Sequence, residues 1–311
     1  MLETPILLII FNRPETTKHV FESIRKIQPK QLFIAADGPR PDKKGENERC
    51  ESARKIATSI DWDCKLHTLF RNENIGCGLG PAKAITWFFE HVEQGIILED
   101  DCLPDISFFS FCEILLNYYK FDNRIMHISG NCFYPNSYTA SYYFSAYTHI
   151  WGWATWRRAW VKYDFNLINI DEKKLRLRIN KIFSSGEERK FWLAYYYKVL
   201  NTDNKDFWDY QWCIAVWYYA GLAILPTKNL VSNIGFGNLA THTHNEKSPI
   251  ANMKTVPLNT IIYNDRVKLD KRADYYSSKS VFHILTKKDI LYQKIKKVLT
   301  EILKINNLKN H

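Results

Sequence analysis

From Pro5 to Pro104 the chain alternates short apolar runs with stretches whose apolar positions recur at helical spacing. Runs rich in branched and aromatic residues read as strands, and the stretches between them as crossover helices. Together they predict βαβ units and a mainly parallel sheet. The first run, Ile6-Leu-Leu-Ile-Ile-Phe11, is continuously apolar, as expected of a strand covered on both faces. Asn12-Arg13-Pro14 ends it, and Glu15 to Ile27 places Val20, Phe21, Ile24 and Ile27 on one helical face. A second strand, Gln31 to Ala36, stops at Asp37-Gly38-Pro39, and a charged loop leads to a helix near Asn47 to Ile60. Lys65 to Phe70 forms a third strand, Arg71 to Gly80 a glycine-rich turn and Pro81 to Glu93 a helix. Gly95 to Leu98 is then a fourth strand that runs into Glu99-Asp100-Asp101.

In an open parallel sheet, ligands bind outside the carboxyl ends of the strands. Asn12, Arg13, Asp37 and Glu99 to Asp101 are therefore expected to converge on one crevice. After residue 104 the pattern changes to aromatic clusters, Trp151-Gly-Trp-Ala-Thr-Trp-Arg-Arg-Ala-Trp160 and Phe207-Trp-Asp-Tyr-Gln-Trp212, followed by a short strand at Ala223 to Leu225. A Gly/Asn segment from Asn233 to His244 and a polar, basic tail complete the chain.

With 311 residues and 46% hydrophobic content the chain has ample material for a core. Its 15% aromatic content suits stacking on flat ligands such as sugars, although a ring-rich core accounts for most of it. A formal charge of +10 favours an anionic partner, with nucleic acid, anionic lipid and nucleotide all satisfying it. The seven cysteines show no paired metal-type spacing and read as reduced thiols. The opening residues lack the regions of a secretory signal, and no run reaches the roughly 20 apolar residues of a spanning helix. The expected location is the cytoplasm.

Three consecutive carboxylates at the end of a buried strand repel one another and need a counter-ion. A divalent cation bridging one or two of them to substrate phosphates supplies it, while an acidic cap before Pro104 is the plain alternative. Asp37 fits either a turn or an acceptor for ribose or base. The segment Asn74 to Gly80 reads as a flexible nucleotide-facing loop without the P-loop pattern. His242 and His244 either place an imidazole on the metal or diphosphate or lie on opposite sides of an extended loop. Asp209, set among aromatic residues, has the surroundings of a general base, with Asp164 and Asp206 as rivals.

Several segments together resemble the bacterial nucleotide-diphospho-sugar transferases of surface-polysaccharide loci, distantly similar to the N-acetylglucosaminyltransferase I family. They are PILLIIFNRPETT (5–17), AADGPR (35–40), NIGCGLGPAKAI (74–85), ILEDDCLP (97–104), WGWATWRRAW (151–160) and WDYQW (208–212). The resemblance implies a GT-A type α/β fold, a Rossmann-like mainly parallel sheet flanked by helices with a C-terminal acceptor subregion. It implies one domain over residues 1–255, with 1–104 as nucleotide-binding half and 105–255 as acceptor half, followed by a basic extension over 256–311. It also implies sugar transfer, with inversion, from a nucleotide-sugar donor to a glycan or lipid-linked acceptor. Glu99-Asp100-Asp101 then stands for the DxD motif, with Asp101 binding Mn2+ or Mg2+ and with Glu99 and Asp100 near ribose or base; from the loop reading above, His242 is the second expected metal ligand. Asn12, Arg13 and Asp37 face the nucleotide, Trp151, Trp153 and Trp156 shape the acceptor site, and Asp209 is the base.

Between Leu291 and Ile305 an amphipathic pattern sets Leu291, Ile295, Val298, Leu299 and Ile302 against Lys294, Lys296, Lys297 and Lys304. Such a helix either lies on anionic lipid at the inner face of the membrane or packs on the domain. A sugar-phosphate nucleotidyltransferase and a single-stranded nucleic-acid-binding protein are the competing readings. The acidic triplet opposes a nucleic-acid partner, and Asn12-Arg13-Pro14 stands where a nucleotidyltransferase has its glycine-rich triphosphate loop.

Overall fold

The computed structural model describes residues 1–134, 136–203, 205–237, 245, 248–285 and 289. In its first part β1 (Ile6–Ile10), α1 (Pro14–Ile27), β2 (Gln31–Ala36), α2 (Glu46–Ala57), β3 (Lys65–Phe70), α3 (Gly76–His91) and β4 (Gln94–Glu99) follow in turn. Then come β5 (Cys102–Pro104), α4 (Ile106–Tyr118), β6 (Ile125–Ser129), β7 (Tyr142–Ser145), β8 (Trp153–Trp156), α5 (Arg157–Trp160) and α6 (Glu172–Ile182). The last elements are α7 (Gly186–Leu200), α8 (Asp209–Tyr218), β9 (Leu222–Pro226), β10 (Val231–Asn233) and α9 (Lys271–Ser280).

Among the described residues these strands form one eight-stranded sheet, in the order β3-β2-β1-β4-β8-β6-β9-β7, and a β5–β10 ribbon. β1, β2, β3 and β4 are parallel, β8 runs antiparallel to both β4 and β6, and β9 is parallel to β6. The chain winds outward from β1 to β3 and returns to the other side of β1 as β4. That reversal opens a crevice at the carboxyl ends of β1 and β4. The expected α/β class, a Rossmann-like sheet flanked by helices, is the one observed.

Alternation explains the continuous apolar runs. Ile6, Leu8 and Ile10 pack with Val20, Phe21 and Ile24 of α1 on one face, whereas Leu7, Phe33 and Ile97 pack with Ile85 and Phe88 of α3 and Trp212 of α8 on the other. Residue 95 must be glycine for this packing, since a Cβ there would lie 2.2 Å from the Phe88 ring.

One local expectation is corrected. The segment read as a turn up to Gly80 is already helical from Gly76, with Pro81 inside α3. The Asp37 carboxylate accepts the N–H groups of Ile75 and Gly76 and caps the helix from the end of β2. A Cβ at Gly78 would lie 2.1 Å from the Lys205 carbonyl oxygen, so this glycine serves close packing.

Residues 256–285, the start of the expected extension, pack on the body. Leu258 joins the core of the first face, and Asp274 of α9 is buried, accepting from Ser145 Oγ and, at 3.0 Å, from Ala146 N. The basic helix expected over Leu291 to Ile305 lies outside the described residues. Among the described residues no helix is long and apolar enough to cross a membrane.

Burial pushes the Asp274 carboxyl up to about 7, against the hydrogen bonds from Ser145 and Ala146. The folded chain then holds a proton that the unfolded chain releases near pH 4, so stability falls as pH rises from about 4 to about 7 and levels off above it. Asp274→Asn is expected to show a smaller loss of urea stability between pH 5 and pH 8 than the parent chain. An equal loss in both proteins would refute this source of pH dependence.

Candidate functional site

The crevice is a cavity of about 1090 Å3 whose wall includes Asn12, Arg13, Asp37, Glu99, Asp100, Asp101 and Asp209. The strand-end residues singled out in the sequence thus meet at one place, and Asp209, at the start of α8, meets them from the second half of the chain.

At its centre stands Arg13, which follows β1. Register pairs Ile9 with Glu99, so the residues after β1 and after β4 emerge side by side. The Arg13 guanidinium donates through Nη2 to Asp100 Oδ1 and through Nη1 to Asp101 Oδ2, the latter at 2.9 Å. Phe11 N adds a bond of 3.3 Å to Asp100 Oδ2, so both oxygens of this carboxylate, 2% exposed, have donors within the protein. The counter-ion that the triplet requires is therefore supplied in part by the chain itself. Arg13 clamps the two strand ends together, and Asp100, which also lines the cavity, has both oxygens engaged by the chain.

Glu99 behaves differently. Its carboxylate has no hydrogen-bond partner among the described residues. Burial pushes it up to about 8, with repulsion from Asp101, Asp100 and, across the cavity, Asp209 adding to the effect and Arg13 opposing it. Asp101 is engaged on both oxygens, Oδ2 by Arg13 and Oδ1 by Cys102 Sγ at 3.5 Å, and all three residues of the triplet line the cavity.

The β5–β10 ribbon closes one side. Asn233 pairs with Cys102, Ile234 N donates to the Asp101 carbonyl at 2.9 Å, and Gly235 N donates to Asn233 Oδ1 at 2.9 Å. A Cβ at Gly235 would sit 2.1 Å from Asp101 Oδ2 and 2.7 Å from Arg13 Nη1, so only glycine lets this strand pass over the ion pair. His242 and His244 lie beyond it, outside the described residues.

The aromatic expectation is corrected in part. Trp151 lines the cavity, its ring centroid 5.6 Å from those of Phe133 and Phe236. Trp153 and Trp156, 1% and 2% exposed, belong to the cores on opposite faces of the sheet, because β8 is an interior strand. They hold the sheet and do not line the cavity. Among the rival carboxylates, Asp206 shares the cavity with Asp209, whereas Asp164 caps its own turn through Asn166 N and Asn169 N.

Sequence reasoning passed over Arg40, Arg71, Asn131 and His149, all in the cavity wall. Arg71 directly follows β3 and Arg40 stands three residues after Asp37, so the strand-end rule that selected Asp37 also selects these two. Nothing local marks Asn131 or His149, which packing alone brings in. Burial holds the His149 imidazole down to about 3, leaving it neutral at physiological pH.

Among the described residues no group of three or more His, Cys, Asp or Glu side chains is arranged to hold a metal ion by itself. The hard oxygens of Asp101 and Glu99 nonetheless suit Mg2+ or Mn2+, since such ions take one or two carboxylates and complete their shell with waters and substrate phosphates.

No protein-family model and no curated protein matches this sequence. Among solved structures, HddC from Yersinia pseudotuberculosis is similar over 50% of this chain and 77% of its own, at 8% identity and TM-score 0.31. S. aureus TarS 1–349 is similar over 74% of this chain and 59% of its own, at 9% identity and TM-score 0.38. The inositol-1-phosphate CTP transferase from T. maritima is similar over 73% and 86%, at 9% identity and TM-score 0.35. These are partial likenesses of backbone arrangement, and what the site does follows from its own residues.

Arg13→Ala leaves Asp100 buried with Phe11 N as its remaining donor. Breaking a buried pair from one side costs about 3 kcal/mol or more. Urea denaturation of Arg13→Ala is expected to show a loss of that order, and a loss below about 1 kcal/mol, the value of an exposed pair, would remove the clamp.

Proposed function

We propose that this chain is a glycosyltransferase that moves a sugar from a nucleoside-diphosphate donor to a hydroxyl of a glycan or lipid-linked acceptor. The observation that supports it is the convergence at the switch point. β1 ends in Asn12-Arg13, β4 ends in Glu99-Asp100-Asp101, and Asp209 faces them across a cavity large enough for a nucleotide-sugar.

In this reading the nucleotide lies along the ends of β1, β2 and β3, and its diphosphate reaches the acidic triplet. Asp101, with Glu99 beside it, would hold Mn2+ or Mg2+, which when bound neutralises charge on the leaving diphosphate. Arg13 keeps Asp101 in place. The acceptor lies against Trp151, and Asp209 takes the proton of its hydroxyl. The hydroxyl oxygen forms the new bond to the anomeric carbon from the opposite face. The bond to the phosphate oxygen breaks, and its electron pair leaves with the nucleoside diphosphate, inverting the anomeric centre.

Thermal shift against UDP, GDP, CMP, nucleoside triphosphates and oligonucleotides, each with and without Mn2+, tests the donor class. A nucleoside diphosphate is expected to stabilise the protein, more so with Mn2+, and Asp101→Ala to lose the Mn2+ increment. Stabilisation by nucleoside triphosphates alone would move the reading to nucleotidyl transfer, and by oligonucleotides alone to nucleic-acid binding. Once a donor is found, Asp209→Asn is expected to slow sugar transfer by about 10²-fold or more while nucleotide binding persists. Retention of the anomeric configuration would refute the role of Asp209 as base.

A further inference from the structure

On the β2 side of β1, away from the acidic triplet, a second carboxylate organises the cavity wall. Glu46 opens α2 and is 0% exposed. It accepts Asn12 Nδ2 at 2.8 Å, and from Arg40 it accepts N at 2.7 Å, Nε at 2.9 Å and Nη2 at 2.5 Å. Hydrogen bonds from the Arg40 side chain hold the Glu46 carboxyl down to about 2, against its burial, so it is ionised at any working pH.

A buried anion with four donors leaves Asn12 and Arg40 little freedom. Because Asn12 Nδ2 is turned to Glu46, the amide is held in one orientation with Oδ1, an acceptor, as its unbonded atom. Because Arg40 Nε and Nη2 are engaged, its free nitrogen is Nη1, a charged donor. Neither atom has a protein partner among the described residues, and both residues line the cavity. The Arg40 guanidinium also sits over the Phe11 ring, 5.6 Å from its centroid, which sets the plane of the fork.

We infer that Glu46 is a positioning residue that presents Asn12 Oδ1 and Arg40 Nη1 as a fixed acceptor–donor pair for the base of the nucleotide, favouring uracil or guanine. These bases carry a carbonyl beside a ring N–H. The charged Nη1 donor pairs best with the carbonyl oxygen, and Oδ1 accepts the N–H. A cytosine or adenine edge offers a ring nitrogen and an amino group in the reverse order. With the sugar and diphosphate fixing which way the base turns to the wall, the fixed pair meets that order poorly, since its members cannot exchange places while Glu46 holds both.

The inference rests on the proposed nucleotide-sugar reading, and titration calorimetry with UDP, GDP, CDP and ADP separates the two. UDP or GDP is expected to bind the parent chain at least about tenfold more tightly than CDP or ADP, the discrimination expected where a hydrogen-bonding site is mismatched. Glu46→Gln frees both side chains and is expected to erase most of that ratio, whereas Glu46→Asp, which keeps the charge, retains part of it. Should Glu46→Gln fail to fold, Asn12→Ala and Arg40→Ala are each expected to reduce the ratio, a change that general destabilisation does not produce. Equal affinity for all four diphosphates, a preference for CDP or ADP, or an unchanged ratio in the folded variants overturns the role of Glu46 and leaves the transferase reading standing. Failure of every nucleoside diphosphate to bind the parent chain overturns both.

Discussion

The Arg13 guanidinium, held between Asp100 and Asp101, ties the end of β1 to the end of β4 at the point where the sheet changes its winding direction. Without it, two neighbouring carboxylates would be brought to the sheet edge with no cation bonded to them and Phe11 N as the remaining donor to Asp100. With it, Asp100 can be buried, and the ribbon strand can cross at Gly235 within touching distance of the pair. Glu99, outside the clamp, lines the cavity beside the pair. Within three consecutive residues the clamp thus engages two carboxylates, Asp100 and Asp101, and leaves the third, Glu99, without a bond to it.

The same device recurs along the edge with different partners. Asp37 is engaged by the N–H groups that open α3, and Glu46 by Asn12 and Arg40. Asp37 and Glu46 are thus each fixed by donors from elsewhere in the wall before any ligand arrives. Preorganisation of this kind reduces the ordering cost of binding. The second half of the chain contributes the rest of the wall through Trp151, Asp209 and the α9 segment, whose buried Asp274 fastens it to the end of β7.

Much of this was legible in the sequence because strand ends are local events. Apolar runs identify β1, β2 and β4, and the first polar residues after them, Asn12, Arg13, Asp37 and Glu99, must lie at one edge of a parallel sheet. Asp209 was legible as a carboxylate among aromatic rings. The sequence also misled where chemistry and packing use the same residue types. Trp153 and Trp156 look like ligand platforms, yet an interior strand carries them into the cores, and the glycines of residues 76–80 look like a loop, yet serve a helix that packs closely.

What the sequence by itself determined is the order of elements and the edge at which polar residues collect, since both follow from periodicity and parallel strand direction. Only the tertiary structure decided the division of labour among those residues: that Arg13 is the clamp, that Asp100 is committed to it, that Glu46 holds Asn12 and Arg40, and that Trp151 alone of its cluster reaches the cavity. Partner choice depends on distances between side chains far apart in the chain, as with Arg13 and Asp100 at a separation of 87 residues. Such distances are set by packing, to which local pattern is blind.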